Sequence, residues 1–239
     1  MKKAIVLCSG GLDSVVTAYY VKNKLNYSKI TLLFFNYGQK SLLAERKSVK
    51  LAAKRLKAKF IEVKLNWLNK ISDSLINAKG RVTKQTRKNL KDTSKEGGKW
   101  YVPARNLVFI TNALSLADAE YVKNGSKNEV FVGFKNEGGE NFPDTSPEFV
   151  NEINQLSKIS TEGKFKIIAP LIKKDKEDIV LLGNKLDVDL ANTFTCYTNN
   201  KIHCGVCLAC RLRQEGFYWA NVKDPTKYKE KMKDFKSAD

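Results

Sequence analysis

No stretch of the 239-residue chain is long and apolar enough to cross a membrane, which excludes a helical membrane protein. A secretory leader is not expected either. Lys2 and Lys3 precede an apolar run of only five residues, Ala4 to Cys8, before two glycines; that is the length of a strand and not of a signal peptide. The expected location is therefore the cytoplasm. There is no internal repeat, no lysine-type phosphate loop G-x-x-x-x-G-K-[ST] and no dinucleotide fingerprint G-x-G-x-x-G. Histidine occurs once, at position 203. Acidic residues are scarce: 25 against 43 Lys and Arg, a formal net charge of +18. Such a surplus marks either nucleic-acid binding or a lysine-rich solvated surface. The lysines are spread along the chain, few are interleaved with aromatics, and no RNA-binding module is recognisable. An anionic small molecule held in a local basic pocket meets the same charge, so nucleic acid is not required.

What is present is an ordinary globular composition, 42% hydrophobic, with length for one large α/β domain or for one domain plus a small appendage. Apolar periodicity predicts helices over 15–25, 42–56, 106–121, 149–159 and 176–182. It predicts strands at the start of the chain and over 30–36, 60–65, 129–134 and 165–168. This alternation implies a doubly wound parallel sheet, whose ligands bind beyond the carboxyl ends of the strands. Residues 79–99 interrupt the pattern with eight Lys or Arg, two acidic residues and three glycines; they read as a mobile basic loop, a candidate lid over an anionic substrate. The predicted division is a nucleotide-binding domain over 1–190, a cysteine-rich segment over 191–222 and a charged tail over 223–239.

Directly after the first apolar run stands Ser9-Gly-Gly-Leu-Asp-Ser14. A strand, a turn of small residues and a helix start make a phosphate cradle: glycine lets the backbone turn sharply, and the unpaired N–H groups of the next helix point at an anion. Ser9 and Ser14 add hydroxyls. Asp13 is the odd member, because a carboxylate beside phosphates needs a cation to face.

Four of the five cysteines lie within 196–210, as Cys196, Cys204, Cys207 and Cys210. Gaps this short suit tetrahedral zinc in a closed, structural site. An iron–sulfur cluster is the competing metal; the clustered ferredoxin run ends in Cys-Pro, which is absent. Disulfides are unexpected in a cytoplasmic chain. Arg211 and Arg213 are placed to offset the thiolate charge. His203 reads as a surface neighbour of the cluster, and Cys8 as a small buried hydrophobe.

The hexapeptide resembles the S-G-G-x-D-S loop of the ATP pyrophosphatases, and further blocks in order extend the resemblance over nearly the whole chain. They are Phe35-Asn-Tyr-Gly-Gln39, Tyr101-Val-Pro-Ala-Arg-Asn106, Phe142-Pro-Asp144 with Pro147-Glu-Phe149, Pro170-Leu171 with Lys176, and Thr195-Cys-Tyr197 leading to Cys204-Gly-x-Cys-x-x-Cys-x-x-Arg213. Together they resemble the QueC branch, the 7-cyano-7-deazaguanine synthases. The resemblance implies an adenine nucleotide alpha hydrolase-like, Rossmann-like fold with a C-terminal zinc-binding segment. It implies an ATP-dependent ligase, with ATP, Mg²⁺ and Zn²⁺, that adenylates 7-carboxy-7-deazaguanine. Ammonia then gives an amide, and a second adenylation gives the nitrile. It implies that Ser9, Gly10, Gly11, Leu12, Asp13 and Ser14 hold pyrophosphate, that Arg105 and Lys176 neutralise phosphate charge, and that Gln39 and Asn106 touch base or ribose. Asp13, Ser14, Arg105 and Lys176 are the catalytic set, and the protein is expected to form a homodimer. Tyr37 and Phe142 are candidates to stack on a purine-like ring. The chain departs from the family pattern at Ser41, where histidine is usual, and at Thr145 and Ser146, where cysteine and arginine are usual. Two alternatives stay open: transfer of the activated acid to an amine on a protein or other macromolecule, as in QueC-like proteins of antiviral systems, and a tRNA-modifying enzyme with the same loop.

Overall fold

The computed structural model describes residues 1–78, 80, 82–135, 142–198 and 201–231. Five parallel strands form one sheet in the order β3-β2-β1-β4-β5. They are β1 (Lys3–Leu7), β2 (Lys29–Asn36), β3 (Lys59–Lys64), β4 (Asn128–Phe131) and β5 (Ile167–Ile168). Central β1 is buried on both faces, as an apolar run without alternation requires. Its Ala4 and Val6 face one apolar layer with Leu32 and Phe34 of β2, while Ile5 faces the other with Leu33 and Phe35.

Helices cover both faces. α1 (Leu12–Asn23), α2 (Leu42–Leu56) and α7 (Lys176–Lys185) supply Val16, Val49 and Ile179 to the first layer. α5 (Arg105–Asn124) and α6 (Pro147–Ser160) supply Ile110, Ala113 and Ile153 to the second. Short α3 (Asn66–Lys70) and α4 (Ser94–Gly98) lie between β3 and α5 in the chain, and α8 (Leu208–Trp219) follows the cysteines. The doubly wound sheet expected from the sequence is therefore present. Its strand order reverses between β1 and β4, where such sheets open a crevice for ligands.

Two boundaries differ instructively from expectation. α1 begins at Leu12 and not Val15, because the glycine turn hands over to the helix without a spacer and draws Asp13 and Ser14 into its first turn. β4 stops at Phe131 and not Phe134, so Val132 to Lys135 turn into the crevice. The described part of 79–99 contains a 3-10 turn over Arg87–Leu90 as well as α4. It is fastened to the cysteine segment: the Gln85 N–H donates to the Val206 carbonyl at 2.9 Å, and Arg211 Nε to the Gln85 carbonyl at 3.0 Å. Lys79, Arg81 and the tail beyond Lys231 lie outside the described residues.

Candidate active site

A cavity of about 280 Å³ fills the crevice at the switch point. Its floor is the turn after β1. Gly10 has φ of +81°, and a Cβ there would stand 2.6 Å from the Glu45 carbonyl oxygen and 2.9 Å from Ser48 Cβ. Only glycine lets the turn lie this close to α2 in that conformation. Gly11 is the N-cap of α1 and makes no side-chain cap, leaving the first-turn N–H groups to a ligand. Ser14 Oγ donates to the Gly11 carbonyl at 3.1 Å and accepts from the Ser9 N–H at 3.2 Å, so the loop holds its own shape.

Asp13 has found its cation: Lys176 Nζ lies 2.7 Å from both carboxylate oxygens. Lys176 begins α7, and its stem runs over Gly216 of α8, where a Cβ would stand 2.3 Å from Lys176 Cγ. The two residues expected at the phosphates thus arrive as one ion pair, set by a glycine beyond the cysteines.

The walls come from other blocks. Ala104, the N-cap of α5, adopts left-handed φ of 50°, an uncommon conformation for a residue with a Cβ; it starts the helix so that Arg105 and Asn106 line the cavity. The Arg105 guanidinium sits 5.9 Å from the Tyr37 ring centroid and 6.0 Å from that of Phe109. Desolvation opposes its charge, but Tyr37, Asp144 and Tyr197 outweigh that penalty and hold it firmly protonated. The Asn106 N–H donates to Asp144 Oδ2 at 3.2 Å. Gln39 also lines the cavity, but its amide is engaged within its own turn: Nε2 donates to the Phe35 carbonyl and to Glu45, and Oε1 accepts from the Tyr37 N–H. It shapes the pocket more than it reaches into it. Tyr37 lies on the lining, and burial lifts its hydroxyl to about 12. Phe142 is not among the lining residues. Cys8 lines the cavity as a thiol that burial raises to about 11.

The departures from the family pattern have local partners. Ser146 caps α6, accepting from the Phe149 N–H at 3.1 Å ahead of Pro147. Thr145 donates to the Phe142 carbonyl and lines the cavity. Ser41 is buried and donates to Glu45 Oε1 at 2.5 Å.

The four cysteines converge, their sulfurs within 4.8 Å of one another. A tetrahedral site with Zn–S bonds near 2.3 Å needs S···S distances of about 3.8 Å, and Cys204 and Cys210 are 3.9 Å apart. Backbone N–H groups of Thr198 and Cys204 point at Cys196 Sγ, and those of Val206 and Cys207 at Cys204 Sγ, as thiolates require. The donor set fits zinc. His203 is corrected from a surface neighbour to a buried strut: its Nε2 accepts from the Thr195 N–H at 3.1 Å, and burial followed by the Arg213 charge pushes its pKa down to about 3. Arg213, fully buried, bonds Thr193, Thr195, Thr226 and the Leu190 carbonyl.

These struts give the segment a second role that the cysteine spacing does not announce. Phe194, Thr195 and Tyr197 form one wall of the cavity. The Phe194 N–H donates to the Gly10 carbonyl at 2.8 Å, and Ser48 Oγ joins that carbonyl to the Asn192 carbonyl at 2.7 Å each. Reading the sequence also missed Glu45, Phe109, Phe134 and Lys135 on the lining. Only Glu45 carried a signal, standing one helical turn after Ser41 and so on the same face.

With this geometry in view, comparison with known proteins is specific. The family model described as queuosine biosynthesis protein QueC matches residues 3–221. Proteins named 7-cyano-7-deazaguanine synthase are similar over nearly their whole length. The one from Methanosphaera stadtmanae is 36% identical over 231 residues, 95% of this chain and 99% of the relative. That from Methanobrevibacter smithii is 34% identical over 96% of this chain and 99% of the relative. That from Pyrococcus horikoshii is 34% identical over 95% and 98%.

Proposed function

This chain belongs to the QueC family of queuosine biosynthesis proteins, and from that premise we propose that it converts 7-carboxy-7-deazaguanine and ammonia to 7-cyano-7-deazaguanine at the expense of ATP. The observation that carries the reading is convergence: the phosphate loop, the Arg105–Asn106 block and the wall before the cysteines line one cavity at the switch point.

The chemistry follows from what lines that cavity. A carboxylate is a poor acyl donor until one oxygen becomes part of a phosphate-linked leaving group. Attack of the substrate carboxylate on the α-phosphorus of ATP forms that C(O)–O–P bond and breaks the bond to pyrophosphate. The departing charge needs donors already in place. The uncapped first turn of α1, the hydroxyl of Ser9 and Lys176 supply them in this reading, while Ser14 holds the loop's shape through the Gly11 carbonyl. Mg²⁺ accompanying ATP adds charge neutralisation; Asp13 is the loop's carboxylate, here already shared with Lys176. Arg105, held over Tyr37 and Phe109, meets an anionic group against an aromatic wall. Ammonia then expels AMP to leave the amide. A second activation, at the amide oxygen, followed by loss of AMP leaves the nitrile. Zinc on Cys196, Cys204, Cys207 and Cys210 supplies rigidity to the wall and takes no part in the reaction.

The test is incubation of the purified protein with ATP, Mg²⁺, ammonium and 7-carboxy-7-deazaguanine, with products followed by mass spectrometry. Nitrile with AMP and pyrophosphate is the expected outcome. Activated acid with no amide or nitrile would move the acceptor to a macromolecular amine, and salt-sensitive tRNA modification would move it to RNA.

A further inference from the structure

Among the described residues two carboxylates line the cavity, Asp13 and Glu45. Asp13 is neutralised by Lys176. Among the described residues Glu45 is in no ion pair; its oxygens accept from two neutral donors, Ser41 Oγ at 2.5 Å and Gln39 Nε2 at 2.9 Å. A carboxylate in this place works against the anions the cavity is proposed to hold. ATP and the deazaguanine acid both gain from Arg105 and lose from Glu45, because like charges repel strongly where water is displaced. One reactant of the proposed function has the opposite sign. At neutral pH ammonia is almost wholly ammonium, which is attracted to a carboxylate but has no lone pair with which to attack.

We propose that Glu45 is the catalytic residue that binds ammonium and takes its proton, an assignment that rests on the function proposed above. The step balances. One N–H bond of ammonium breaks and its proton passes to a Glu45 oxygen, leaving neutral ammonia. The nitrogen lone pair forms the C–N bond at the activated carbonyl, the C–O bond to AMP breaks, and AMP leaves with that electron pair. The excess proton on the new amide nitrogen passes to the AMP phosphate or to water. Ser41 and Gln39 fix the carboxylate from one side, and a carboxylate has acceptor sites to spare beyond two hydrogen bonds. The charged and titratable groups that face Glu45 from other elements are Arg105 of α5 and Tyr37 after β2. Burial raises the proton affinity of Glu45, partly offset by Ser41, Gln39 and Arg105, in the direction a proton acceptor needs.

The test uses the full zinc-loaded chain and the isosteric variant Glu45→Gln. Three rates are compared: ATP–pyrophosphate exchange dependent on the deazaguanine acid, amide and nitrile formation from ammonium, and hydroxamate formation from hydroxylamine. Hydroxylamine is neutral near pH 7.5 and attacks without losing a proton first. The expected result is exchange and hydroxamate within about threefold of the parent, with the ammonium-dependent product down roughly 100-fold or more. That deficit shrinks as pH rises and free ammonia accumulates. Exchange and hydroxamate falling together with the ammonium reaction would overturn the assignment, since Glu45 would then serve ATP, its metal or the loop's shape. Unchanged ammonium kinetics would overturn it too. No acid-dependent exchange in the parent protein would overturn the substrate reading and the assignment with it, a failure visibly different from the other two. Should Glu45→Gln not fold, Ser41→Ala decides. Freeing the carboxylate is expected to raise KM for ammonium about fivefold with exchange intact, and an unchanged KM overturns the assignment.

Discussion

The phosphate turn and the cysteine segment are both short, glycine-bearing stretches that announce a ligand, yet they are built in opposite ways. Between Ser9 and Ser14 the groups offered to a ligand are backbone N–H and small hydroxyls, and much of the shape comes from Gly10 and from hydrogen bonds inside six residues. Between Cys196 and Cys210 the ligand groups are side chains, and the shape between metal and substrate is fixed by distant partners: His203 on Thr195, Arg213 on Leu190 and Thr226. A site made of backbone is shaped mostly where it stands in the chain, and borrows from elsewhere the Phe194 and Ser48 bonds to the Gly10 carbonyl. A site made of side chains borrows its frame, and so becomes a frame for others. Here it holds the wall that bonds Gly10 through Phe194, and it leads into the helix whose Gly216 seats Lys176.

Breaking the metal site is therefore expected to damage both regions, and by the larger margin. Cys207→Ser should drop zinc content from about one per chain to near zero, at a cost of several kcal/mol, since metal-binding energy in such a site is folding energy. ATP–pyrophosphate exchange should vanish with it, although among the described residues no hydrogen bond joins a cysteine of the cluster to the phosphate turn. Metal analysis and exchange measured on the same sample check this; exchange surviving in zinc-free protein would mean that the two regions are independent. Gly10→Ala strikes the other region. The methyl meets backbone at 2.6 Å, and the left-handed conformation adds its own penalty, together about 3 kcal/mol. Zinc content should be unchanged while exchange falls at least ~100-fold. Equal loss of zinc in this variant would erase the asymmetry.

The same contrast explains what could be read from the sequence. The sheet, its parallel sense, the phosphate turn and the cysteine cluster rest on local patterns: apolar runs such as Ile30–Asn36, the glycine pair, and the spacing of the four cysteines. Arg105 and Lys176 were found only through resemblance, because a lysine at a helix start carries no local mark of the carboxylate it will meet 163 residues away in the chain. Ser146 shows the reverse. By resemblance it is a departure from a usual arginine, whereas in the fold it is a helix cap, a role written in the Ser-Pro-Glu sequence itself. His203 was legible as a neighbour of a metal and Thr195 as part of a family block; the wall that Thr195 forms with Phe194, and the strut that His203 gives it, were not legible. Their task depends on where α8 returns the chain, and the composition of 191–222 does not encode that return. Glu45 drew no reading from the sequence, because only the cavity gives that position on α2 an inside.

The smallest of these effects falls on the ion pair where the regions meet. Lys176 and Asp13 have side chains 13% and 25% exposed, between the surface pairs whose loss costs little and the buried ones whose half-removal costs several kcal/mol. Lys176→Met should lower stability by about 2 kcal/mol, leaving zinc bound and the wall in place. Most of that cost is the stranded carboxylate and not the lost attraction, so adding Asp13→Asn should return much of the stability. Catalysis should not return with it. If Lys176 also serves the leaving pyrophosphate, acid-dependent exchange stays depressed roughly 10- to 100-fold in the double variant while its melting temperature recovers. Recovery of both together would reduce the pair to a structural contact and leave the uncapped α1 turn to meet the phosphates alone. Stability recovering without exchange would show that the segment beyond the cysteines, through Gly216, places a group that acts on the substrate and not merely one that holds the fold.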